Sequence, residues 1–309
     1  MAVTTGSDPA PANWRGFTIK ADSAGARWAD YPTIGLDASG LYISANMFAV
    51  SSGSTLVNFV GVPKSSLTAG VPSITGFVKQ QNIAPNTTGF SLQPAVDLGN
   101  TGLPAPILSA YNKPAGLLKR SDVPANFFTS PTLNTAGPII NVAARNNPPS
   151  ARQPGPDDNI DTGDTRFDGN IVLQNGHLWA AHGVNVSGRA AIEWYEINEP
   201  TNAILQSGLI SDPSTGVTTF SPITQTHLGS GTYFVDFGAG ENRWGDYSAT
   251  VLDPSDPNSF WTFQEFANGT DNWGIRITQI LVPEPTSALL GVVGLVGFFG
   301  YAMRRRVSM

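Results

Sequence analysis

The densest group of side chains that could do chemistry lies in the stretch "NRWGDYS", residues 242–248. Arg243 and Asp246 are close enough in sequence to form an ion pair. Trp244 and Tyr247 could form a flat apolar floor of the kind on which sugar rings stack. The same side chains could instead pack one structural unit against its neighbour. The stretch therefore predicts either a ligand-binding surface or a structural contact.

Carboxylates offer a second kind of chemistry, because glycoside hydrolysis needs two carboxyl groups on opposite sides of a cleft. The candidates are Asp168, Glu193, Asp246 and Glu265. In "FWTFQEF" the alternation of a strand places Glu265 on the same face as Trp261 and Phe263, an apolar setting suited to a general acid. Glu265 could equally be a carboxylate paired with Arg243 or Arg276. No stretch reaches a catalytic signature, so we expect a protein that is not an enzyme.

The sequence predicts no metal or cofactor site. His177 and His182 are five residues apart, so in a regular strand they point to opposite faces and cannot hold one ion together. His227 is isolated. The stretch "DDNIDTGD", residues 157–164, places oxygen atoms at alternate positions as a calcium loop does, but Thr162 stands where such a loop needs glycine. We therefore expect a solvated acidic turn there.

Composition excludes several classes of function. The chain has 309 residues, no cysteine and a formal net charge of −6, and only 13% of the residues are charged. Without cysteine there is no disulfide framework, zinc knuckle or thiol nucleophile. An acidic surface repels the nucleic-acid backbone, so we expect no nucleic-acid partner. The 33 glycines and 24 prolines are scattered rather than periodic, which favours a turn-rich β protein.

The elements that must position these side chains are predicted to be strands. Two stretches alternate apolar and polar residues on both sides of a glycine turn: "TIGLDASGLYISANMF", residues 33–48, and "NIVLQNGHLWAAHGV", residues 170–184. Weaker versions begin at Pro94 and Tyr247. Four such hairpins at spacings of roughly 60 to 75 residues indicate a repeated blade-like unit, to which "STLVNFVGV" and "AAIEWYEIN" add outer strands.

The repeated unit favours an all-β fold, with a β-propeller as the leading architecture and a β-sandwich as the alternative. No stretch before residue 282 carries sustained helical periodicity, which argues against a doubly wound α/β fold. Residues 214–240 lack a clear strand-turn-strand pattern. One unit is therefore expected to be shortened.

Three segments of the body resemble secreted bacterial sialidase-like propellers: "WADYPTIGLDASGLYISANMF", "TRFDGNIVLQNGHLWAAHGV" and "NRWGDYSATVLDPSDPNSFWTFQEFA". The resemblance spans most of residues 20–280 and implies a β-propeller whose relatives include both glycosidases and lectin-like binders. The Asp-box pattern of sialidases, Ser-x-Asp-x-Gly-x-x-Trp, is not found in the sequence. We therefore expect a non-catalytic propeller that binds carbohydrate or a protein partner, with a sialidase-like carbohydrate-active enzyme as the alternative.

The C-terminal stretch "VPEPTSALLGVVGLVGFFGYAMRRR", residues 282–306, differs from the body. Residues 288–303 carry no charge and would span about 24 Å as a helix, slightly less than a bilayer core of about 30 Å, a difference that arginine snorkelling can cover. A buried core helix is the alternative. Because positive charge stays in the cytoplasm, Arg304, Arg305 and Arg306 are expected inside and the body outside.

Pro283, Glu284 and Pro285 hold the chain extended before this apolar segment, in a form that a processing enzyme can grip. The order Val-Pro-Glu-Pro, apolar span and arginine cluster resembles the PEP-CTERM sorting signal of Gram-negative bacteria. The resemblance implies recognition by an exosortase, a membrane-embedded cysteine transpeptidase that removes the tail. It also implies a precursor in the inner membrane, a final place at the cell surface or outside the cell, and an association with exopolysaccharide or biofilm matrix.

The sequence divides into three predicted regions. Residues 1–20 are a linker or an incomplete N-terminus, residues 21–281 a β-propeller-like domain, and residues 282–309 the sorting signal with a single transmembrane helix. An exported protein begins with a basic and then an apolar segment, whereas "MAVTTGSDPAPANW" has neither. Either the natural start lies upstream of Met1 or the chain is a truncated gene product, and we expect an incomplete N-terminus.

Overall fold

The computed structural model describes residues 1–6, 10–102, 104–153, 159–211, 227–235, 241–253, 255–256 and 258–281. This part of the chain is mostly β-sheet, with 17 strands. Its helices are two single turns of α-helix, Lys64–Leu67 and Pro85–Thr88, and two 3-10 turns, Pro11–Asn13 and Lys113–Ala115. The all-β class predicted from the sequence is confirmed.

The predicted sorting signal and its helix lie outside the described residues. Two groups of predicted residues also lie outside the described residues. Those predicted for recognition by a processing enzyme are Pro283, Glu284 and Pro285, and those predicted to orient the tail are Arg304, Arg305 and Arg306. Within the ranges that the structure describes, no helix combines the length and the apolar character needed to cross a bilayer.

The N-terminal stretch, residues 1–20, contains a small antiparallel sheet of β1 (Ala2–Thr4) and β2 (Trp14–Gly16). Its apolar side chains pack on a cluster formed around Val60 and Val62 of the following unit. The boundary at residue 20 stays a prediction.

The first unit is a four-stranded antiparallel meander of β3 (Arg27–Leu36), β4 (Gly40–Ala49), β5 (Leu56–Pro63) and β6 (Val78–Ile83). It contains the hairpin predicted at residues 33–48. Asp37 closes the turn of that hairpin, because its side-chain oxygen accepts from the amides of Ser39 at 2.7 Å and Gly40 at 2.8 Å.

Three further units repeat this plan. The second consists of β7 (Gln93–Asp97), β8 (Ala105–Asn112), β9 (Leu117–Val123) and β10 (Ile139–Asn141). The third consists of β11 (Ile171–Gln174), β12 (His177–Val186), β13 (Arg189–Asn198) and β14 (Ile204–Ile210). The fourth consists, in the described residues, of β15 (Ala249–Leu252), β16 (Ser259–Ala267) and β17 (Trp273–Leu281).

The predicted hairpins coincide with the first two strands of these units. The turn between β11 and β12 is Asn175 and Gly176, with φ of 53° and 76°, the pair of left-handed residues that a tight hairpin turn requires. Residues 214–240 were predicted to lack a clear strand-turn-strand unit. Of these residues, the structure describes only 227–235, and the chain reaches β15 after residue 241. The described residues 227–235 carry no strand.

The first strands of the first three units run side by side and parallel. Leu36 of β3 faces Val96 of β7, and Val96 in turn faces Val172 of β11. Every other strand pair within these units is antiparallel. Four-stranded meanders that meet through their first strands resemble the blades of a propeller, the architecture predicted from the sequence. The leading ends of β3, β7 and β11 therefore gather at one edge.

Two clusters of buried apolar side chains hold neighbouring units together. One joins the first and second units around Phe59 and Phe127, whose rings meet edge to face with centroids 5.6 Å apart. The other joins the second and third units, where Leu118 packs with Leu178 and Ile197. Each side chain of this size stabilises the fold by about 1.5–3 kcal/mol when it is fully buried.

Gly35 allows β3 and β7 to approach each other. A Cβ atom at Gly35 would lie 2.5 Å from the Cβ of Pro94 and 2.6 Å from its backbone carbonyl. Gly35→Ala must therefore push the two strands apart, and we expect it to lower the free energy of unfolding by about 1–3 kcal/mol. Gly70→Ala, where no atom lies within 4 Å of the added methyl group, is the control. Equal urea-unfolding curves for the two variants would contradict the close approach.

Candidate functional site

A cleft of about 450 Å³ opens where the leading segments of several units meet. Its walls include Tyr31 of β3, residues 160–164, 166 and 168 before β11, and residues 244–248 before β15. These segments are far apart in sequence. The parallel first strands bring the leading ends of the first three units to one edge, and the segment before β15 joins them where Asn242 pairs with Ile160. The volume falls within the range of about 300–1,000 Å³ that small-ligand sites occupy.

Tyr31 reaches the cleft because β3 is irregular at this point. Asp30 pairs with Asn46 and Thr33 pairs with Ser44, so two residues of β3 face one residue of β4. This is a β-bulge, which re-aims the side chains next to it. Tyr31 has a φ of 49°, a left-handed conformation that costs a bulky residue about 1–3 kcal/mol. Strain of this kind persists only where surrounding contacts compensate for it.

Four contacts fix the Tyr31 side chain. Its hydroxyl lies 2.9 Å from Oδ1 of Asp168 and 3.1 Å from the carbonyl oxygen of Phe167. Tyr247 stacks on its ring with the centroids 5.1 Å apart, and the guanidinium of Arg166 lies 4.4 Å from the ring centroid. Tyr31 is 5% exposed and Tyr247 is 49% exposed. Tyr247 therefore presents a supported aromatic surface to the solvent.

Asp168 is a partly buried carboxyl group in the wall of the cleft. Burial raises the pKa of Asp168 to about 6, although the hydrogen bond from Tyr31 acts in the opposite direction. A carboxyl group with this pKa gains and loses a proton near neutral pH. That behaviour is found in general acids, and also in buried carboxyl groups with a structural role.

His182 anchors the loop that carries Asp168. Its Nδ1 lies 2.6 Å from the carbonyl oxygen of Thr165, which can only accept, so this nitrogen carries a hydrogen. Its ring stacks on Phe167 with the centroids 5.1 Å apart. Nε2 lies 3.0 Å from the hydroxyl of Tyr195. The buried histidine thus ties the cleft loop to the third unit.

A buried ionic cluster centred on Glu193 lies behind His182. The Glu193 carboxylate lies 2.6 Å from Lys113 Nζ and 2.6 Å from the Tyr195 hydroxyl, and 3.1 Å from Arg145 Nε. Burial alone would raise the pKa of Glu193, but its hydrogen-bond partners outweigh burial and lower the pKa to about 2. Because Lys113 belongs to the second unit and Glu193 to the third, the cluster joins the two units.

Glu193 was predicted as a candidate carboxylate for the acid–base chemistry of glycoside hydrolysis, and this prediction was wrong. Its side chain is 4% exposed and is paired with the fully buried Lys113. It does not line the cleft. The partner lies 80 positions away in sequence, so no local pattern marks this carboxylate as structural.

Most of the residues predicted to bind a ligand line the cleft: Trp244, Asp246, Tyr247 and Glu265. Arg243 lies beside it and donates from Nη2 to both oxygens of Asp246 at 3.1 Å, the ion pair that the sequence indicated. Both partners are about half exposed, so this pair contributes at most about 1 kcal/mol. The ligand-binding role of these residues stays a prediction.

Trp244 and Tyr247, which were predicted to form a common apolar floor, both line the cleft, but each pairs with a different ring. Trp244 meets Tyr233 edge to face, with centroids 5.1 Å apart and planes at 89°. Tyr247 stacks instead on Tyr31. Because residues 244–248 form a loop and not a regular strand, each ring follows its own partner.

Glu265 lies on the same face of β16 as Trp261 and Phe263, as strand alternation predicted. Its expected pairing with Arg243 or Arg276 was wrong, because its carboxylate accepts from the amide of Gly245 at 3.1 Å. This contact fixes the 244–248 loop against the fourth unit. A side chain at position 245 would collide with that carboxylate.

The histidines have structural surroundings. His177 and His182 point to opposite faces of β12, as predicted: His182 is buried, and His177 contacts the Glu196 carboxylate on the other face. His227 meets Phe266 edge to face with centroids 4.4 Å apart.

The described residues contain no group of three or more histidines and carboxylates arranged to hold a metal ion. In the predicted acidic turn, Asp157 lies outside the described residues. Asp161 accepts from the amide of Gly163 at 2.8 Å, and Asp164 pairs with Arg166 at 2.8 Å.

Sequence reasoning missed Tyr31 and Arg166 as parts of the site. One signal for Tyr31 was available, because Pro32 directly precedes the strand predicted from residue 33, and proline in a sheet is confined to edges, strand starts and bulges. Nothing comparable marks Arg166, whose place follows from the loop anchored by His182.

No protein-family model matches the chain, and no curated protein matches it in sequence. Among solved structures, it is similar to an endo-arabinase from Bacteroides thetaiotaomicron, with a TM-score of 0.44 and 12% identity over 88% of this chain and 83% of that one. It is also similar to a neuraminidase-like protein of A/little yellow-shouldered bat/Guatemala, with a TM-score of 0.38 and 10% identity over 81% of this chain and 59% of that one.

A third similar structure is described with the GH130 family of mannoside phosphorylases, which contains glycoside hydrolases that target β-1,2 mannosidic linkages in Candida mannan. Its TM-score is 0.29, with 9% identity over 84% of this chain and 88% of that one. At these identities and TM-scores, none of the three similarities indicates a shared activity.

Glu193→Gln should destabilise the protein at neutral pH, because Lys113 would be left buried without a counter-charge. Breaking a buried ion pair in this way costs about 3–5 kcal/mol. Replacing both residues, as Lys113→Met with Glu193→Gln, should restore part of the loss. Urea unfolding at pH 7 measures all three proteins, and a Glu193→Gln variant as stable as the parent would contradict the role of the cluster.

The same carboxylate makes stability depend on pH. The pKa of Glu193 is about 2 in the folded protein and 4.5 ordinarily, so its contribution is complete above about pH 4.5 and is lost as the pH falls through 2. Between pH 5 and pH 2, the free energy of unfolding should fall by roughly 3 kcal/mol more in the parent than in Glu193→Gln. If the free energy of unfolding fell by the same amount in both proteins between pH 5 and pH 2, the predicted contribution of Glu193 would be wrong.

Proposed function

We propose that the protein is an exported surface or matrix protein whose cleft binds carbohydrate without cleaving it. The observation that carries this proposal is Tyr247, which is 49% exposed and is backed by the buried ring of Tyr31. Asp246 and Trp244 flank it in the cleft. A rigid aromatic ring can stack on the C–H face of a sugar, while neighbouring carboxylates accept hydrogen bonds from its hydroxyl groups.

The charges of the cleft favour a neutral or cationic ligand. Its described lining carries the carboxylates Asp161, Asp164, Asp168, Asp246 and Glu265, and the one guanidinium in that lining is Arg166. Arg166 already pairs with Asp164 at 2.8 Å. An acidic sugar would therefore meet like charges without compensation, which costs binding free energy. A neutral sugar or an amino sugar would not.

Tyr247→Ala should weaken polysaccharide binding by about fivefold to tenfold, because it removes the aromatic surface and leaves the carboxylates in place. Affinity electrophoresis in gels that contain hydroxyethylcellulose, chitosan or alginate measures this. Trp273→Ala removes a 53%-exposed tryptophan on β17 and serves as the control. The proposal is wrong if neither the neutral nor the cationic polymer retards the parent, or if the two variants behave alike.

A glycoside hydrolase is the second candidate function. Asp168, with its pKa of about 6, has the protonation behaviour of a general acid, and Asp246 or Glu265 would supply the second carboxylate. We rank it second because these carboxylates are already engaged within the protein: Asp168 by Tyr31, Asp246 by Arg243 and Glu265 by Gly245. A panel of aryl glycosides separates the two candidates. Turnover that is lost in both Asp168→Asn and Glu265→Gln would favour the enzyme.

We also propose that the tail sorts the protein to the cell surface. The support is the order of its parts in the sequence: Glu284 between Pro283 and Pro285, the uncharged residues 288–303 and the arginine cluster 304–306. The arginines would hold the tail in the inner membrane with the body outside the cytoplasm. An exosortase-type transpeptidase would then recognise the proline-bracketed glutamate and release or attach the body. Exopolysaccharide is the partner expected there.

Changing Pro283, Glu284 and Pro285 together to alanine should leave the protein inserted but unprocessed, because the apolar segment and the arginines remain. Full-length protein should then accumulate in the inner membrane, which fractionation with an antibody to the body detects. As a control, Ser287→Ala changes a residue between the Pro-Glu-Pro motif and the apolar segment. If the triple variant is trimmed as efficiently as the parent, the tail is an ordinary membrane anchor.

A further inference from the structure

A second cleft, of about 460 Å³, lies next to the first. The two clefts share a wall, because Asp164 and Arg166 line both. The second cleft differs in chemistry, since the rest of its lining is mainly aromatic and amide: Phe48, Phe90, Tyr111, Asn46 and Asn147. No feature of the sequence singled out these residues.

Phe90 is held at the surface by a strained turn. Its neighbours Gly89 and Ser91 have φ of 82° and 50°, and Ser91 is not a glycine. Asn46 fixes this turn, because its Oδ1 accepts from the Ser91 amide at 2.8 Å and its Nδ2 donates to the Ser91 hydroxyl at 2.9 Å. A side chain at Gly89 would collide with the Ser109 hydroxyl. The strain therefore serves to present a phenylalanine that is 44% exposed.

The aromatic surface continues on the first unit. Trp28 of β3 lies opposite Phe48 of β4, and their rings stack with centroids 5.1 Å apart and planes at 25°. Trp28 is 51% exposed. Phe48 is partly buried, lines the second cleft with Phe90 and stacks on Trp28, so the three rings form a partly exposed aromatic surface. Exposed aromatic residues grouped in this way mark binding surfaces rather than cores.

We propose that the two clefts form one continuous groove that binds a neutral or amino-sugar polysaccharide over several consecutive sugar units. This inference rests on the carbohydrate-binding function proposed above and adds the aromatic cleft as a second subsite. Because the shared wall is an internally paired Asp164 and Arg166, a chain can pass it without meeting a net charge. Sugar rings stack on the aromatic residues at one end, and hydroxyl or amino groups bond to the carboxylates at the other.

Binding should therefore depend on the length of the ligand. The probes are β-linked oligomers of glucose, N-acetylglucosamine and glucosamine, from the disaccharide to the hexasaccharide, titrated by calorimetry into the full chain. Affinity for the bound series should rise by about tenfold or more once an oligomer reaches both clefts. Phe90→Ala should remove this gain, so that the hexasaccharide binds no more tightly than the disaccharide.

Two further variants sharpen the test. Trp28→Ala removes the outer part of the aromatic surface without changing a residue of the strained turn. It should reduce the rise in affinity with oligomer length in the same way as Phe90→Ala. Phe77→Ala removes a phenylalanine that is 39% exposed and outside both clefts, and it should change nothing. Thermal unfolding shows that each variant is folded.

The outcomes separate the groove from the function on which it rests. Equal affinity of the parent for the disaccharide and the hexasaccharide, or a length dependence that survives in both Phe90→Ala and Trp28→Ala, would overturn the groove while carbohydrate binding stands. If the parent binds no oligomer of any series, the carbohydrate-binding function itself fails.

Discussion

The first strands of the first three units, β3, β7 and β11, run parallel and in contact, with Leu36 opposite Val96 and Val96 opposite Val172. The contact is close enough that position 35 must lack a side chain. Because parallel strands begin at the same edge, the segments that lead into these three units are delivered to one place. The bulge at Tyr31, the turn at Phe90 and the loop before β11 lie in such segments. The loop before β15 belongs to a separate sheet and reaches the same place where Asn242 pairs with Ile160. Both clefts depend on this convergence.

Backbone strain at this edge is balanced by buried contacts elsewhere. The left-handed conformation of Tyr31 is compensated by its burial, its hydrogen bond to Asp168 and its stacking with Tyr247. The loop that carries Asp168 is held in turn by His182, which rests on the ionic cluster around Glu193. The rigid support therefore lies behind the cleft, and the half-exposed rings lie in front of it. A site that must present apolar rings to water needs such support.

The parts of the fold that depend on local chemistry could be predicted from the sequence. The hairpin at Asn175 and Gly176 follows from period-two alternation and from two residues that tolerate positive φ. The cluster around Asp246 and Tyr247 could be found from residue types alone. The sequence could not show how the rings of Trp244 and Tyr247 are oriented, because their orientations depend on partners such as Tyr31.

Other features depend on pairing across long sequence separations. The salt bridge of Glu193 with Lys113 joins residues of two units, and the register shift beside Tyr31 exists only when β3 is paired with β4. The turn at Phe90 likewise depends on the side chain of Asn46, 45 positions before Ser91. Period and composition carry no information on such contacts, so the sequence predicted candidate residues without predicting their surroundings.

The proposed groove requires that the leading segments of different units together form one carbohydrate-binding face. Hydrogen–deuterium exchange of the full chain, with and without the glucosamine hexasaccharide, measures this. Slower exchange is expected in several separate stretches at once: residues 27–31, 89–91, 164–168 and 244–248. Protection confined to the strands β15–β17, or no change at the four leading segments, would contradict it.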